Sequence, residues 1–545
     1  MTLEVQPNGI SHPESLSDIE LVASSDDPRA ELDIVQAEVA RVAQTLKALM
    51  DKTHVLRGRV NEMYSPAIRL LPVEITAEIF QACIPVFNMD DAIDAKEFVP
   101  LLLGSVCSSW RRIAWSAPTL WSSLTLRLNT THIHTQIVLL DEWLSRSGDL
   151  PLSIRLFSEE EIHWASATTP GTAIEVIKKY ASRWRGLDLR LPTSCYKYLP
   201  SSDEHLPMLQ SLNLNPPGGQ GERRHKVDMS NSAKIQHLSL SCVYLISMKF
   251  QWVHVTDLRL EAFYVDECLE ALRQSPQLQS CSLRNIIGGD DGHALPDAPL
   301  VLPALRNFSI ENEKDTHIAL LLDTIMMPSM TRFSYSGRSL VHCSALCALL
   351  ARSPSLETFI FAQTVVSNDD AFMNLLGSLD TVKTFVFSTK SNSADHSPLD
   401  DDILRMCNPA LVPPGKKCLL PRLEVLEYFG PQTFAWPVLL ETLDSRQPKA
   451  SPSSADASDA ALCKTPTSEM EINNKEKVDS THTSQAEGCK VFEWQSVRLN
   501  LTHRAADQTE PDFLLPSLQA LKIKVSVLLT SAGAENNERI QRTLI

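Results

Sequence analysis

An apolar pair separated by one residue returns at nearly constant intervals along most of this chain. The pairs are Leu187/Leu189, Leu212/Leu214, Leu238/Leu240, Leu258/Leu260, Cys281/Leu283, Phe308/Ile310, Phe333/Tyr335, Phe359/Phe361 and Phe385/Phe387. Successive pairs lie 20 to 27 residues apart, with later members at Leu426/Tyr428 and Leu521/Ile523. Apolar-x-apolar is the period of a strand with one buried face. A fixed interval of this length marks stacked supersecondary units rather than one closed domain. Helical stretches fill the gaps, at 266–275, 317–324, 343–352 and 369–379. Several are followed by a stop-and-return phrase: Ser275-Pro276-Gln277-Leu278, Pro328-Ser329-Met330 and Ser353-Pro354-Ser355-Leu356. Proline ends a helix because it lacks the N–H and clashes with the preceding turn. One strand and one helix per unit predict an α/β solenoid over 135–440. Its aromatic pairs point into the core, and interleaved residues such as Arg259, Ser334 and Ile360 show on the concave face.

The interval lies within the range of leucine-rich repeats, which this region resembles. The segment 445–489 is rich in Ser, Ala, Asp, Lys, Thr and Glu and almost free of bulky apolar side chains, which reads as a disordered insertion. The last strands are expected over 490–530. Residues 1–29 read as a disordered tail, and a heptad follows over 30–64. Leu32, Val35, Val39, Val42, Leu46, Leu49, Thr53, Leu56, Val60 and Met63 alternate spacings of three and four. This stripe fits a coiled-coil seam, so self-association through the heptad helix is one expectation. Packing against the chain's own next module is the other.

Pro66 opens a dense helical module. It reads Leu70-Leu71-Pro72-Val73-Glu74-Ile75, then Ile79-Phe80 and Cys83. A mildly acidic segment, 88–97, carries three Asp and one Glu. The run resumes as Leu101-Leu102-Leu103-Gly104-Ser105-Val106-Cys107-Ser108-Ser109-Trp110-Arg111-Arg112 and closes with Pro118-Thr119-Leu120-Trp121. Over 65–128 this resembles the F-box, and in particular the divergent F-box of mushroom-forming fungi, with its preceding heptad helix and Pro-x-Leu-Trp phrase. The resemblance implies a small all-α unit that binds the Skp1-type adaptor of a ubiquitin ligase and, through it, a cullin. The adaptor-facing candidates it implies are Leu71, Pro72, Ile75, Ile79, Leu102, Val106, Trp110, Leu120 and Trp121. Pro72 suits a helix start, and Glu74 lies in the first turn, where the dipole favours an acid. Ile75 and Ile79 share one face. A module this short cannot bury so many large side chains by itself, so an exposed apolar patch calls for a partner.

Other classes lose on chemistry. The net charge of −16 argues against a chain-wide nucleic-acid surface. No run of about 18 apolar residues predicts a membrane span, and the start has no secretory pattern. The twelve cysteines are therefore expected as reduced thiols in a cytoplasmic or nuclear protein. Pro217-Gly218-Gly219-Gln220-Gly221 lacks the Gly-Lys-Ser/Thr of a phosphate loop, and Gly288-Gly289-Asp290-Asp291-Gly292 lacks the remaining ligands of a calcium loop. His132 with His134 and Cys343 with Cys347 are two-ligand fragments of a zinc site that needs about four. Neither Gly-x-Ser-x-Gly nor His-Glu-x-x-His occurs. No catalytic residue, cofactor or metal is expected. The resemblance implies a non-catalytic substrate-recognition subunit whose repeat domain holds an unnamed target protein. The alternative is a repeat-protein interaction scaffold whose F-box-like module binds no adaptor.

Overall fold

The computed structural model describes residues 28–64, 71–87, 98–158, 169–201, 204–217, 226–232, 234–288, 292–312, 318–337, 343–363, 370–389, 399–446, 494–503 and 524–531. Residues 1–27 of the expected tail, the acidic segment 88–97, most of both glycine-rich stretches, residues 447–489 of the expected insertion and the Leu521/Ile523 pair lie outside them, while Pro28 and Arg29 begin a helix and Ser445 ends one. The chain is mixed α/β and divides into two compact units.

The first unit comprises Met1–Pro85 and Glu97–Leu120. It holds α1 (Pro28–Tyr64), α2 (Val73–Ala82), α3 (Val99–Val106) and α4 (Ser108–Ser116). Helix α1 covers the whole heptad, and its side chains from 31 to 60 are exposed, seam included. Over 31–60, therefore, the module that follows covers no side chain of the heptad helix. In the rest of the unit α3 packs on α4, and α2 also meets α4.

The second unit comprises Val86–Lys96 and Trp121–Ile545. It is built on a fourteen-stranded sheet in which every pairing is parallel and spatial order equals chain order. The strands are β1 (Ser123–Arg127), β2 (Leu152–Phe157), β3 (Trp184–Arg190), β4 (Ser211–Leu214), β5 (His237–Ser241), β6 (Asp257–Glu261) and β7 (Ser280–Arg284). They continue as β8 (Asn307–Asn312), β9 (Arg332–Gly337), β10 (Thr358–Gln363), β11 (Thr384–Thr389), β12 (Val425–Pro431), β13 (Ser496–His503) and β14 (Lys524–Ser531). Crossovers between consecutive parallel strands carry helices α5 (Ile133–Arg146), α6 (Thr169–Lys178), α7 (Val265–Gln274), α8 (Ile318–Thr324), α9 (Cys343–Ala351), α10 (Asp370–Gly377), α11 (Asp401–Cys407) and α12 (Trp436–Ser445).

Register explains the doublets. Leu187 pairs with Leu212, Leu212 with Leu238, and the match continues through Leu258, Cys281, Phe308, Phe333, Phe359 and Phe385 to Leu426. All of them are buried. The aromatic members stack strand on strand, Phe308 on Phe333 at 5.7 Å, Phe333 on Phe359 at 5.6 Å and Phe359 on Phe385 at 5.9 Å. Phe372 of α10 sits 6.0 Å from Phe361 and 5.5 Å from Phe387, so the doublet side is the helix side.

The sequence phrases have local reasons. Ser275 and Ser353 are buried at helix ends, and each hydroxyl donates to the carbonyl four residues back, Ala271 at 2.9 Å and Leu349 at 2.9 Å. Proline then stops the helix, and Leu278 and Leu356 drop into the core. Cys242, Ala262 and Asn285, each directly after a strand, share positive φ values of 53°, 59° and 49°. Each donates its N–H to the end of the next strand, at Glu261, Arg284 and Glu311. Three consecutive units thus turn the chain with the same left-handed residue.

Two boundaries differ from expectation. The sheet begins at Ser123, inside the 65–128 span expected to be helical and ahead of the expected start at 135. Leu124/Leu126 and Ile154/Leu156 have the doublet frame, but long connections separate them and break the period. At the far end the described strand runs over Lys524–Ser531, later in the chain than the expected Leu521/Ile523 pair.

Candidate functional site

The first candidate surface is on α2 and α3. Helix α2 divides its residues by face. Thr76 and Phe80 are buried, while Ile75 (42% exposed) and Ile79 (49%) turn outward one helical turn apart. Pro72 starts this helix in an extended conformation and is exposed, as is Leu71. Helix α3 repeats the division, with Pro100 and Gly104 inside and Leu102 (54%) and Val106 (50%) outside. Cys107 is extended and ends α3. Its sulfur accepts the Trp110 N–H at 3.4 Å and so caps α4.

Trp110 is half-buried, its ring 4.8 Å from Phe80, so part of it is packing within the unit. Leu120 (0% exposed) and Trp121 (1%) are interior, which corrects the expectation that they present to an adaptor. Trp121 belongs to the second unit, stands edge-on to Trp143 at 4.8 Å, and carries the Arg146 guanidinium over its ring at 5.1 Å. A closing Leu-Trp phrase does not reveal from sequence which side of a fold will cover it. Six of the nine expected residues are thus exposed, one is half-buried and two are interior.

Gly104 holds the α3–α4 packing. A Cβ there would lie 2.0 Å from the Trp115 ring, and the backbone of α3 cannot yield that distance without moving the helix. Gly104→Ala is expected to destabilise the first unit by about 1–3 kcal/mol, as overpacked cores do. Loss of helical signal at a lower temperature in circular dichroism, with the sheet's transition unmoved, is the check.

The second candidate surface is the sheet face away from the helices. Its central row follows the register Arg155, Asp188, Asn213, Ser239, Arg259, Ser282, Ser309, Ser334, Ile360. A groove over β4 to β10 is lined by this row from Asn213 onward, with Arg284 and Arg332 beside it. Arg284 pairs with Glu311 at 3.0 Å, and Arg259 Nε lies 3.5 Å from Asp257. Partial burial and the neighbouring Arg284 hold the Arg259 guanidinium below its ordinary pKa. A second hollow nearer β3 is lined by Val86, Phe87, Gly186, Ser211, His237 and Asp257. The row begins with a buried charge cluster that the sequence reading missed. Arg155 meets Asp188 at 2.6 Å, and Asp188 also accepts from Asn213 at 2.9 Å and Arg190 at 3.3 Å. A charge between two doublet leucines was its one sequence signal.

Among the described residues no group of three or more His, Cys, Asp and Glu could hold a metal. Cys195, Cys268, Cys281 and Cys407 are buried free thiols whose pKa is pushed up by burial, to about 11 for Cys195 and about 12 for Cys407. No helix among the described residues is long and apolar enough to cross a membrane. No family model matches the chain, and no curated protein matches it.

Proposed function

We propose that this chain is the substrate-recognition subunit of a Skp1–cullin–F-box type ubiquitin ligase. In this reading α2 to α4 form an F-box that docks a Skp1-type adaptor, and the parallel sheet with its helical crossovers is a leucine-rich-repeat-like solenoid. The chain would supply proximity, not catalysis, to a target protein in the cytoplasm or nucleus. The observation that carries the reading is the pair of outward apolar couples, Ile75/Ile79 and Leu102/Val106, beside exposed Leu71 and Pro72. A module that buries Phe80 against Trp110 yet leaves these residues in water has spare apolar surface for a partner. The groove of hydroxyl, amide and guanidinium groups on the open sheet face suits a polar protein surface.

The interior positions of Leu120 and Trp121 favour the second reading, an interaction scaffold without an adaptor, because they remove two of the contacts the F-box resemblance implies. Binding of the full chain to a recombinant Skp1-type adaptor, measured by calorimetry beside an Ile79→Asp/Val106→Asp variant, separates the two. Ligase function requires binding by the unaltered chain and its loss, by about a hundredfold or more, in a variant with unchanged circular dichroism. An unaltered chain that does not bind the adaptor leaves the scaffold.

A further inference from the structure

Helix α1 is 37 residues long, and its apolar seam is exposed from Leu32 to Val60. A lone helix of this kind has little to hold it in water, because helices in proteins draw most of their stability from a packed face. The occupant of the seam can be read from the flanking charges. With Leu32, Val39, Leu46, Thr53 and Val60 at a and Val35, Val42, Leu49, Leu56 and Met63 at d, the g positions are Glu31, Glu38, Thr45, Lys52 and Arg59. Acid occupies the first two, base the last two, and Thr45 is the midpoint.

We infer that α1 forms an antiparallel two-stranded coiled coil with α1 of a second copy of this chain. In an antiparallel pair g positions face g positions, so Glu31 meets Arg59 of the second copy and Glu38 meets Lys52 of the second copy. Twofold symmetry repeats both pairs, and Thr45 meets its own equivalent near the axis. The same register sets Leu32 on Leu56, Val35 on Thr53, Val39 on Leu49 and Val42 on Leu46 across the seam. The two central kinds of layer each pair a small valine with a larger leucine, so the side chains interdigitate. Ala43 flanks the axis and lets the backbones approach.

Thr53, the one polar seam residue, fits without penalty, since its hydroxyl donates to the Leu49 carbonyl of its own helix at 2.8 Å. Like charges meet only where Arg29 faces Arg57, at the coil's ends. A parallel pairing in register has none of these matches. It sets Lys52 beside Arg57 of the second copy and faces Glu31 and Glu38 with Gln36 and Ala43. Its first and third a layers would be Leu32 and Leu46 and its first two d layers Val35 and Val42, the reverse of the β-branched a and leucine d pattern that favours parallel dimers. Antiparallel helix dipoles attract as well. The two chains would leave the coil at opposite ends.

The test uses the full chain, in light scattering coupled to size exclusion and in sedimentation equilibrium. The unaltered chain should be a dimer at micromolar concentration. Glu31→Lys/Glu38→Lys should weaken it by about tenfold or more, and adding Lys52→Glu/Arg59→Glu in the same chain should restore it. All four residues are exposed, so the fold survives, and circular dichroism verifies it. A parallel dimer gives the opposite sign for Lys52→Glu/Arg59→Glu alone, which would tighten by relieving the clash with Arg57. That tightening, a monomer, or an assembly larger than a dimer each overturns the inference. Adaptor binding involves α2 and α3, so its result is independent of this one.

Discussion

Asp188→Ala is expected to destabilise the second unit by about 3–5 kcal/mol, read as a lower urea midpoint with an unchanged slope. Asp188 is fully buried in β3, between the doublet leucines 187 and 189. Its carboxylate meets Arg155 Nε at 2.6 Å, and Arg155 is itself buried in β2, its guanidinium 5.1 Å from the Phe87 ring. Removing the acid takes the 2.6 Å ion-pair partner from a buried cation that has lost its hydration, and such a loss exceeds what the intact pair contributes. Asp188→Asn keeps an oxygen for Asn213 and Arg155 but no charge, and its cost should fall between the two. An alanine variant within about 1 kcal/mol of the unaltered chain would sink this account, because it would mean that the guanidinium is not paired by need.

Arg446→Ala comes next, at about 3 kcal/mol or more. Arg446 follows α12 and is buried. Its guanidinium donates to the Cys407 carbonyl at 2.6 and 3.1 Å, to Leu420 at 3.0 Å and to Leu419 at 3.1 Å. It also lies 5.1 Å from the Trp494 ring. One planar fork therefore ties the end of α11, the 419–420 turn and the first residues after the insertion. Lysine has no such fork, so Arg446→Lys should recover little. The two ends of the insertion meet through Arg446 and Trp494 and through the pairing of β12 with β13. Replacing 449–489 by a short Gly-Ser linker should therefore shift thermal melting only slightly, since closure entropy varies slowly with loop length. A large fall in melting temperature for the linker variant, with Arg446→Ala harmless, would reverse the assignment of what joins these strands.

The repeated part of the fold was legible for a physical reason. A strand buried on one face must alternate, and a stack of identical units must repeat, so Leu187 to Phe387 announces both strand positions and register. The Ser-Pro-x-Leu phrases likewise mark where helices end. The first two strands were not legible, since the stretches joining Leu124, Ile154 and Leu187 are too long for the period. Of the candidate adaptor residues, the Ile75/Ile79 pair on α2 was legible as one face, and Leu102/Val106 on α3 was not read as a pair.

By itself, then, the sequence determined the heptad seam of α1, the strand doublets and the helix stops, because each follows from local periodicity and backbone chemistry. Only the tertiary structure decided that Leu120 and Trp121 are interior, that Gly104 must admit the Trp115 ring, and that Arg155 and Asp188 form one buried pair. These depend on residues far apart in the chain arriving at one place, and burial there, not residue type, decides whether a side chain packs or presents itself.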